Sequence, residues 1–301
     1  MTIVVIGKSG QLATDLAGAR AQYSGDMVFF GRNDISFASL AEVDDVLHRF
    51  AAKGVINAAA YTSVDQAESN HEQASFLNEV IPERLAIACE KMKIPLIHVS
   101  TDQVFDGAKH GMYNENDTPN PLNVYGMTKL RGEERVGKYA EESLIVRVSW
   151  IFGPSARNFI HLCLDAARRQ ADFSVVCDQI GKPTYGPRLA EELLRLMALM
   201  ISGEKNSPRG ILHVAGPNIM SRYEQAEKIL DTAATFGFPK ASCAAVTTAE
   251  FGAAARRPLN AVLDTTKAEG TFGISFRDFS VDLRHTIGQI AGLQAVRTEM
   301  K

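Results

Sequence analysis

The amino-acid sequence predicts an α/β fold in which helices cover both faces of a parallel sheet. Short apolar runs alternate with helical patterns through the first half of the 301-residue chain, which is typical of strands joined by crossover helices. Apolar residues make up 46% of the chain and charged residues 22%, proportions that suit a soluble protein with a substantial core. Strands are expected at 3–6, 27–30, 54–57, 95–99 and 144–148, and helices near 11–20, 39–52, 72–92 and 124–140.

The first strand and the turn after it carry the pattern of a dinucleotide-binding fingerprint. Ile3 to Ile6 is a β-branched run that suits a strand buried on both faces. Gly7 permits a tight turn, and Gly10 lets backbone N–H groups approach a pyrophosphate at the N-terminus of the next helix. Ala13 takes the third small position of the fingerprint. The sequence therefore predicts a Rossmann-like, doubly wound sheet.

The later elements follow from local signals that are less regular. Pro82 is expected to kink the third helix or to begin it. The loop from Asp106 to Asn123 is long and rich in turn residues, which indicates a functional segment. Beyond it, a polar turn at 178–184 precedes a helix at 187–202, a strand at 211–214, and helices near 221–236 and 247–254.

Charge and composition argue against several classes of partner. The net charge is −3 and no basic stripe occurs, so nucleic acid is not an expected partner. The apolar run at 196–201 is too short to cross a bilayer, and the N-terminus lacks the pattern of a signal peptide. The four cysteines are scattered and the seven histidines form no ligand pairs. We expect a cytoplasmic protein with no membrane partner and no metal ligands that the sequence identifies.

Tyr125 and Lys129 are the strongest candidates for catalysis. Four residues apart on a helix, they share one face and can reach one ligand. A nearby ammonium favours the phenolate, so Lys129 is expected to lower the pKa of Tyr125 and ready it for proton exchange with a carbonyl or alcohol. The same spacing also occurs on solvated helix faces, so the pair is informative only with its surroundings.

The surroundings consist of strand ends that should meet at one crevice. The run at 95–99 leads into Ser100-Thr101-Asp102, and the run at 54–57 ends in Asn57 and three alanines. Ligands of open parallel sheets bind at the carboxyl ends of the strands. Thr101 is therefore expected to face the same crevice as the glycine turn and the helix that carries Tyr125 and Lys129.

Together, these motifs resemble those of the extended short-chain dehydrogenase/reductase superfamily. More narrowly, they are similar to the dTDP-4-dehydrorhamnose reductase family. Examples are Ser100-Thr101-Asp102 followed by Val104-Phe105, and Arg147-Val148-Ser149-Trp150. The similar segments cover nearly the whole chain in order and lie at 57–68, 100–107, 125–133, 147–152, 178–184, 213–216 and 257–264.

The resemblance implies a domain organisation and an activity. It predicts a dinucleotide-binding domain over 1–150, to which 185–216 returns, and a smaller α/β substrate-binding domain from 151–184 and 217–301. The implied reaction is NADPH-dependent reduction of the 4-keto group of dTDP-4-dehydro-L-rhamnose to dTDP-L-rhamnose. The implied partner is a dTDP-linked 4-keto-6-deoxyhexose. The family also allows use of NADH, a homodimer, and a Mg²⁺ ion for which no ligand is placed here.

The resemblance also assigns roles to residues of this chain. Tyr125 protonates the ketone oxygen, Lys129 lowers its pKa and holds the nicotinamide ribose, and Thr101 donates a hydrogen bond to the developing alkoxide. The implied cofactor contacts, besides Tyr125 and Lys129, are Gly7, Ser9, Gly10, Gln11, Leu12, Arg32, Asp34, Ala58, Ala59, Ala60, Tyr61 and Asn78. The implied substrate contacts are Thr62, Val64, Asp65, Asp102, Gln103, Trp150 and Arg257.

Several of these residues have alternative interpretations. Asn78 equally fits a helix cap, Trp150 fits plain packing, and Arg257 fits a surface ion pair. Arg32 precedes Asp34 at the end of the second strand; an Arg there accommodates the 2′-phosphate of NADPH, whereas an acidic residue favours NADH. We expect NADPH to be preferred, with a solvated turn as the alternative role for Arg32.

Departures from the family pattern bear on the substrate and on rival functions. Gln103 stands where the family usually has Tyr, Arg222 where an aromatic residue is common, and Ala261 where Ser is common. Related nucleotide-sugar 4,6-dehydratases carry Asp-Glu after the Thr, whereas Asp102 is followed by Gln103, which cannot exchange a proton. This argues against dehydration. The remaining alternatives are a reductase or epimerase for another nucleotide sugar, and a non-catalytic subunit similar to the methionine adenosyltransferase β subunit.

Overall fold

The computed structural model describes the backbone of residues 1–204 and 206–299, and the side chains of 1–21, 23–204 and 206–292. The last two residues of the predicted 217–301 segment lie outside this range. The strands are β1 Thr2–Ile6, β2 Asp26–Phe30, β3 Ala52–Asn57, β4 Leu96–Thr101, β5 Ser143–Val148, β6 Ile151–Phe152, β7 Ser174–Val176, β8 Ile180–Gly181, β9 Thr184–Tyr185, β10 Gly210–Val214, β11 Met220–Ser221 and β12 Ala244–Val246.

Helices separate these strands through most of the chain. They are α1 Gln11–Ala19, α2 Leu40–Arg49, α3 Val64–Ala67, α4 His71–Ser75, α5 Ile81–Met92, α6 Val124–Tyr139, α7 Phe159–Arg169, α8 Gly186–Ser202, α9 Arg222–Thr235, α10 Thr248–Phe251, α11 Thr266–Phe272 and α12 Phe279–Glu299. A π-helical turn at Phe76–Val80 joins α4 to α5, and 3₁₀ turns occur at Arg20–Gln22 and Asp102–Val104.

Six strands form one parallel sheet in the order β2-β1-β3-β4-β5-β10. The chain moves outwards from β1 to β2, then returns to the other side of β1 and continues to β10. The point where the strand order reverses therefore lies between β1 and β3. In open α/β sheets, this switch point is where a ligand-binding crevice opens at the carboxyl ends of the strands.

Both faces of the sheet are buried, as the continuous apolar strands predict. Alternate residues point to opposite faces, so Val5 packs with α1 and α8 while Val4 packs with α2 and α5. Helices cover both faces, which confirms the predicted Rossmann-like, doubly wound α/β fold. α8 packs on α1, and β10 extends the sheet beside β5, so residues 186–214 return to the first half of the chain.

A third apolar cluster lies apart from the sheet. It is built on α7, α9 and α12, with Leu164, Ile229 and Leu283 at its centre, and includes Phe152 and Tyr185. No helix is predicted from the sequence over 159–169 or 279–299, and the structure adds both helices. In α12, the stripe of Leu283 and Ile287 is interrupted by Gly288 and Gly292, which weakens the helical pattern. The predicted domain boundaries at residues 150, 184 and 216 stay predictions.

The first half otherwise follows the predicted elements closely. All five predicted strands are present, and Pro82 lies in the first turn of α5, where a proline needs no hydrogen-bonded N–H. The long loop before α6 is tied to a distant segment, because Tyr113 forms a bridge with Leu263. No helix within the described ranges is long and apolar enough to span a membrane.

Candidate active site

The N-terminus of α6 brings Tyr125 and Lys129 to the end of β4. Asn123 caps the helix by accepting a hydrogen bond from the Gly126 N–H at 2.8 Å. Glu68 accepts a second bond from the Val124 N–H, also at 2.8 Å. These two bonds use polar groups from different parts of the chain, and they fix where the helix begins.

Tyr125 is buried next to Thr101, as the convergence of strand ends predicts. Only 9% of Tyr125 is exposed. Burial raises the pKa of Tyr125 to about 12, and the charge of Asp102 acts in the same direction, while a hydrogen bond with Thr101 opposes them. The predicted lowering of this pKa by Lys129 is therefore wrong for this conformation. The phenol is held as a proton donor.

Lys129 is directed towards β4. Its Nζ donates to the carbonyl oxygen of Val99 at 2.7 Å and lies 3.2 Å from Nε2 of His98. Burial lowers the pKa of Lys129 to about 8, against the opposing charge of Glu133 one turn later. Sequence spacing places Lys129 and Tyr125 on one face, but the contacts of Lys129 with Val99 and His98 explain why Lys129 does not lower the pKa of the phenol here.

Thr101 joins Tyr125 to a buried carboxyl group. The Thr101 hydroxyl donates to Oδ1 of Asp102 at 3.0 Å and accepts from the Gln103 N–H at 3.2 Å. Oδ2 of Asp102 accepts from the Ser149 hydroxyl at 2.7 Å. Burial raises the pKa of Asp102 to about 6, against these hydrogen bonds and the charge of Arg222. Thr101 donates to the substrate oxygen, the predicted role, only when its proton leaves Asp102.

The glycine turn after β1 suits a diphosphate. Gly10 is the N-cap of α1 and provides no side-chain cap, and a Cβ at Gly10 would meet no atom within 4 Å. The space beside Gly10 is therefore open at the N-terminus of α1, where N–H groups without helical partners can bind an anion. Gly7 has φ +122° and lies against the backbone of Ala58 and Ala59 at the switch point. The residues present fit the pyrophosphate of a dinucleotide.

Three neighbours of this turn contribute differently from one another. Ser9 is exposed, whereas the side chain of Leu12 belongs to the core between the sheet and α8. The Gln11 side chain donates to Asp15 at 2.8 Å and accepts from Asn158 at 2.9 Å. Gln11 and Leu12 therefore offer a cofactor their backbone N–H groups, while their side chains hold α1 in place.

The end of β2 presents the groups that bear on coenzyme choice. Asp34 accepts from the Gly31 N–H at 2.8 Å and from Lys8 at 3.1 Å. These bonds hold the pKa of Asp34 below its usual range, with the Gly31 bond the larger cause. Arg32 is exposed and forms no hydrogen bond or ion pair within the described part of the chain. The carboxylate of Asp34 is thus occupied, whereas Arg32 has no partner among the residues that the structure describes.

The segment after β3 lies along the same crevice. Ala58, Ala59 and Ala60 are half-buried small residues. Asn78 accepts from the Tyr61 N–H at 2.8 Å, donates to the Tyr61 carbonyl at 3.3 Å, and donates to Thr128 at 3.0 Å. Its amide is therefore committed to joining the π-helical turn, this segment and α6. The Asn78 amide uses its hydrogen bonds within the protein, which does not favour the predicted contact with the cofactor. That contact stays a prediction.

Two predicted substrate residues pair with each other. Arg257 forms a bidentate ion pair with Asp65 through bonds of 3.1 and 2.7 Å, and Asp65 also accepts from the Ala255 N–H at 3.0 Å. The alternative interpretation of Arg257 as a surface ion pair therefore describes this conformation. Thr62 is exposed, and Val64 packs beside Tyr125, so both lie at the rim of the candidate site.

Trp150 and Arg222 pack together in the part of the candidate site that is predicted to contact the substrate. Trp150 has φ +43°, a strained conformation for a bulky residue and one that is common at functional sites. The guanidinium of Arg222 lies 3.5 Å from the centre of the indole ring, and Gly181 packs closely against the same ring. Gln103 accepts from Asn123 at 3.1 Å. The Trp150 ring is therefore largely covered by protein, which favours an edge contact with any substrate.

Several polar residues of the site carry no predicted role. Asn57, His98 and Ser149 are buried, at 0%, 0% and 1% exposure, and each forms hydrogen bonds within the site. The sequence signal that could have identified them is a polar residue within or directly after an otherwise apolar strand. Among the described residues, no group of three His, Cys, Asp or Glu could hold a metal ion, so the Mg²⁺ that the family allows has no assigned ligands.

The parallel sheet, the glycine turn after β1 and the Thr101, Tyr125 and Lys129 cluster define an oxidoreductase of the extended short-chain dehydrogenase/reductase class. The family model described as RmlD substrate binding domain matches residues 1–291. A dTDP-4-dehydrorhamnose reductase of Aggregatibacter actinomycetemcomitans is 36% identical over 94% of this chain and 97% of its own. One of Escherichia coli K12 is 31% identical over 98% of this chain and 100% of its own.

Solved structures agree with the sequence comparison. A dTDP-4-dehydrorhamnose reductase from Clostridium acetobutylicum has a TM-score of 0.89, with 28% identity over 96% of this chain and 99% of its own. A second, from Bacillus anthracis in complex with NADP, has a TM-score of 0.86 with the same identity and coverage. A dTDP-glucose 4,6-dehydratase from Streptomyces venezuelae, 16% identical over 95% of this chain and 96% of its own with a TM-score of 0.79, shares the fold alone. The chain belongs to the dTDP-4-dehydrorhamnose reductase family.

Proposed function

We propose that this chain reduces the 4-keto group of dTDP-4-dehydro-L-rhamnose with NADPH and releases dTDP-L-rhamnose. The observation that carries the proposal is the full-length match to reductases of that name, 36% identical over 94% of this chain. The convergence of Thr101, Tyr125 and Lys129 at the end of β4 gives the match a chemical basis. Retention of all three favours an enzyme over a regulatory subunit of the same fold.

Reduction of a ketone requires a hydride at carbon and a proton at oxygen. NADPH supplies the hydride when it is bound. Tyr125 is proposed to supply the proton, since its phenol is protonated at neutral pH and lies beside Thr101. After the transfer, the Thr101 hydroxyl is proposed to turn its single proton from Asp102 to the phenolate of Tyr125 or to the charged oxygen of the substrate. Lys129, whose Nζ lies on the sheet side of the site, would hold the nicotinamide ribose of a bound NADPH.

The proposed coenzyme preference rests on the end of β2. Asp34 is occupied by Gly31 and Lys8, whereas Arg32 is exposed and without a partner among the described residues. A guanidinium forms strong, charge-assisted hydrogen bonds with phosphate oxygens. Arg32 is therefore proposed to bind the 2′-phosphate of NADPH, and NADH is proposed to be a weaker alternative. The relative solved with NADP is consistent with this preference.

The substrate wall is proposed to be more polar than the family pattern. Gln103 keeps its Oε1 bonded to Asn123, which leaves its N–H donors without an acceptor among the described residues. Arg222 adds a guanidinium beside Trp150. We assign Thr62, Val64, Asp102, Gln103 and Trp150 to the sugar, while Asp65 and Arg257 act as a paired unit at the rim.

The decisive experiment is a panel of 4-keto sugar nucleotides followed by NADPH absorbance, with the stereochemistry of each product read by NMR. The proposal expects the highest kcat/KM with dTDP-4-dehydro-L-rhamnose and a rhamno-configured product. Faster turnover of another keto sugar, with the NADPH chemistry retained, would redirect the substrate assignment. Binding of NADPH without turnover of any member would favour the regulatory alternative.

The remaining proposals concern context. From the sequence we infer a cytoplasmic location, a homodimer and no nucleic-acid partner, with a dinucleotide-binding domain over 1–150 and 185–216 and a substrate domain over the rest. Light scattering with and without NADPH measures the oligomeric state. Limited proteolysis, with fragments identified by mass spectrometry, tests the boundaries at residues 150, 184 and 216.

A further inference from the structure

Three buried polar side chains run in a line from the cofactor crevice to the proposed catalytic lysine. Nδ2 of Asn57 lies 3.0 Å from Nδ1 of His98, and Nε2 of His98 lies 3.2 Å from Nζ of Lys129. Asn57 and His98 are neighbours in register on β3 and β4. All three side chains are at most 1% exposed, so water does not supply alternative partners and each contact must match a donor with an acceptor.

The backbone fixes the direction of these bonds. The N–H of Ala59 is a donor in every protonation state, and it points at Oδ1 of Asn57 over 3.2 Å. Oδ1 is therefore the acceptor, and the Asn57 NH₂ group donates to Nδ1 of His98. Nδ1 then carries a lone pair, so a neutral imidazole has its proton on Nε2. The Nε2–H bond points at Nζ of Lys129.

An ammonium group has three donors and no acceptor. If Lys129 were charged, an N–H of its ammonium group and the Nε2–H of His98 would be two donors facing each other across 3.2 Å. A neutral amine accepts from Nε2–H with its lone pair and still donates to the Val99 carbonyl at 2.7 Å. We propose that Asn57 and His98 are positioning residues whose arrangement in this structure favours the neutral amine of Lys129, and that Lys129 gains a proton only when His98 changes tautomer and the Asn57 amide turns over.

The reversed arrangement has an identifiable penalty. With the proton on Nδ1, His98 donates to Oδ1 of Asn57, and the Asn57 NH₂ group then faces the Ala59 N–H. Ala59 lies at the switch point, where its backbone nitrogen is close to Gly7. The charge of the lysine is therefore linked to the hydrogen bonding of one backbone amide in the cofactor crevice.

The other groups around Lys129 are compatible with this linkage. On α6, Tyr125 precedes it by one turn, and Glu133, which favours the ammonium, follows by one turn. Glu133 is itself paired with Arg147 of β5 at 2.6 Å, which moderates that attraction. The π-helical turn presents the uncharged Asn78. Burial lowers the pKa of Lys129 to about 8 and holds the pKa of His98 well below its usual value, with the lysine charge the second cause for His98.

The test is the tautomer of His98 in the apo protein, read by ¹⁵N NMR of histidine-labelled chain. Comparison with His98→Gln assigns the signals, and exposed His110→Gln is the control that must leave them in place. The proposal expects a proton on Nε2 above pH 9, changing to Nδ1 as Lys129 gains its proton below about pH 8. A proton on Nδ1 at pH 9, or one tautomer throughout the titration, would overturn it.

Asn57→Asp is the sharper variant because it is nearly isosteric. A carboxylate still accepts from the Ala59 N–H but only accepts from His98, so it fixes the proton on Nδ1 and leaves Nε2 to accept from an ammonium. The pKa of Lys129 should rise by about 1–3, and His98 should carry its proton on Nδ1 at every pH. Unchanged tautomer populations in a folded Asn57→Asp protein would refute the linkage. Because the readout is the imidazole and not turnover, it is independent of the proposed substrate.

Discussion

Asp102 gives a prediction whose size follows from the structure. Its carboxyl is 3% exposed, and burial raises its pKa from the ordinary 3.8 to about 6. Between these two pH values the folded chain binds a proton that the unfolded chain has released, so the free energy of unfolding falls as the pH rises. At about 1.4 kcal/mol for each pH unit, ionisation of Asp102 costs about 3 kcal/mol of stability by pH 7.

Asp102→Asn removes this titration. The difference in free energy of unfolding between wild type and variant, from urea denaturation, should decline by about 2 kcal/mol from pH 4 to pH 7, because part of the total is already lost at pH 4. Because the amide of Asn has only one oxygen, either Thr101 or Ser149 loses its acceptor in the variant. This shifts the difference in free energy by a constant and leaves its dependence on pH unchanged. Asp34→Asn is the matched control: its pKa is held below the usual value, so its difference curve should rise with pH only below about pH 4 and stay nearly level from pH 4 to pH 7. A flat curve for Asp102→Asn would refute the burial argument.

Three further substitutions test other parts of the site. Arg32→Ala should lower kcat/KM about 10- to 100-fold with NADPH and leave NADH unchanged; equal kcat/KM for both coenzymes, unaffected by the substitution, would exclude the phosphate contact. Gln103→Tyr should leave kcat/KM for dTDP-4-dehydrorhamnose unchanged or improved, and a large loss would mean that Gln103 makes an essential polar contact. Gly132→Ala should destabilise the chain by about 1–3 kcal/mol in urea, because its Cβ would collide with the Asn78 carbonyl. Gly137→Ala on the same helix, where a Cβ meets nothing within 4 Å, should not; equal effects would contradict the packing argument.

The sheet could be predicted from the sequence because its strands are continuous apolar runs with clear ends. Runs such as Ile3 to Ile6 are apolar on both faces, and each is bounded by turn residues or a helical pattern. The helices of the third cluster are harder to predict. α7 carries an amphipathic stripe at Ile160, Cys163, Leu164 and Ala167 that the prediction missed, whereas α12 contains Gly288 and Gly292 and gives only a weak stripe. The stability of α12 comes from packing against α7 and α9, which its local pattern does not report.

The meeting of Thr101 with Tyr125 and Lys129 could also be predicted, since parallel strand ends and the helix after them share one edge. The partners of individual side chains could not. Arg257 pairs with Asp65 across most of the chain, and Arg222 covers Trp150 from the start of α9. Lys129 bonds to Val99 and does not act on the phenol. Such choices depend on which donors and acceptors tertiary packing brings within 3 Å, and residue spacing carries no information about that.

The central claim is that Tyr125 is the proton donor in a ketone reduction. Tyr125→Phe removes one hydroxyl from a buried ring and leaves the glycine turn, Arg32 and Lys129 in place. NADPH affinity, measured by fluorescence, should stay near the wild-type value, while reduction of dTDP-4-dehydro-L-rhamnose should fall about 10²–10⁴-fold. Near wild-type turnover by a folded, NADPH-binding Tyr125→Phe protein would contradict the account.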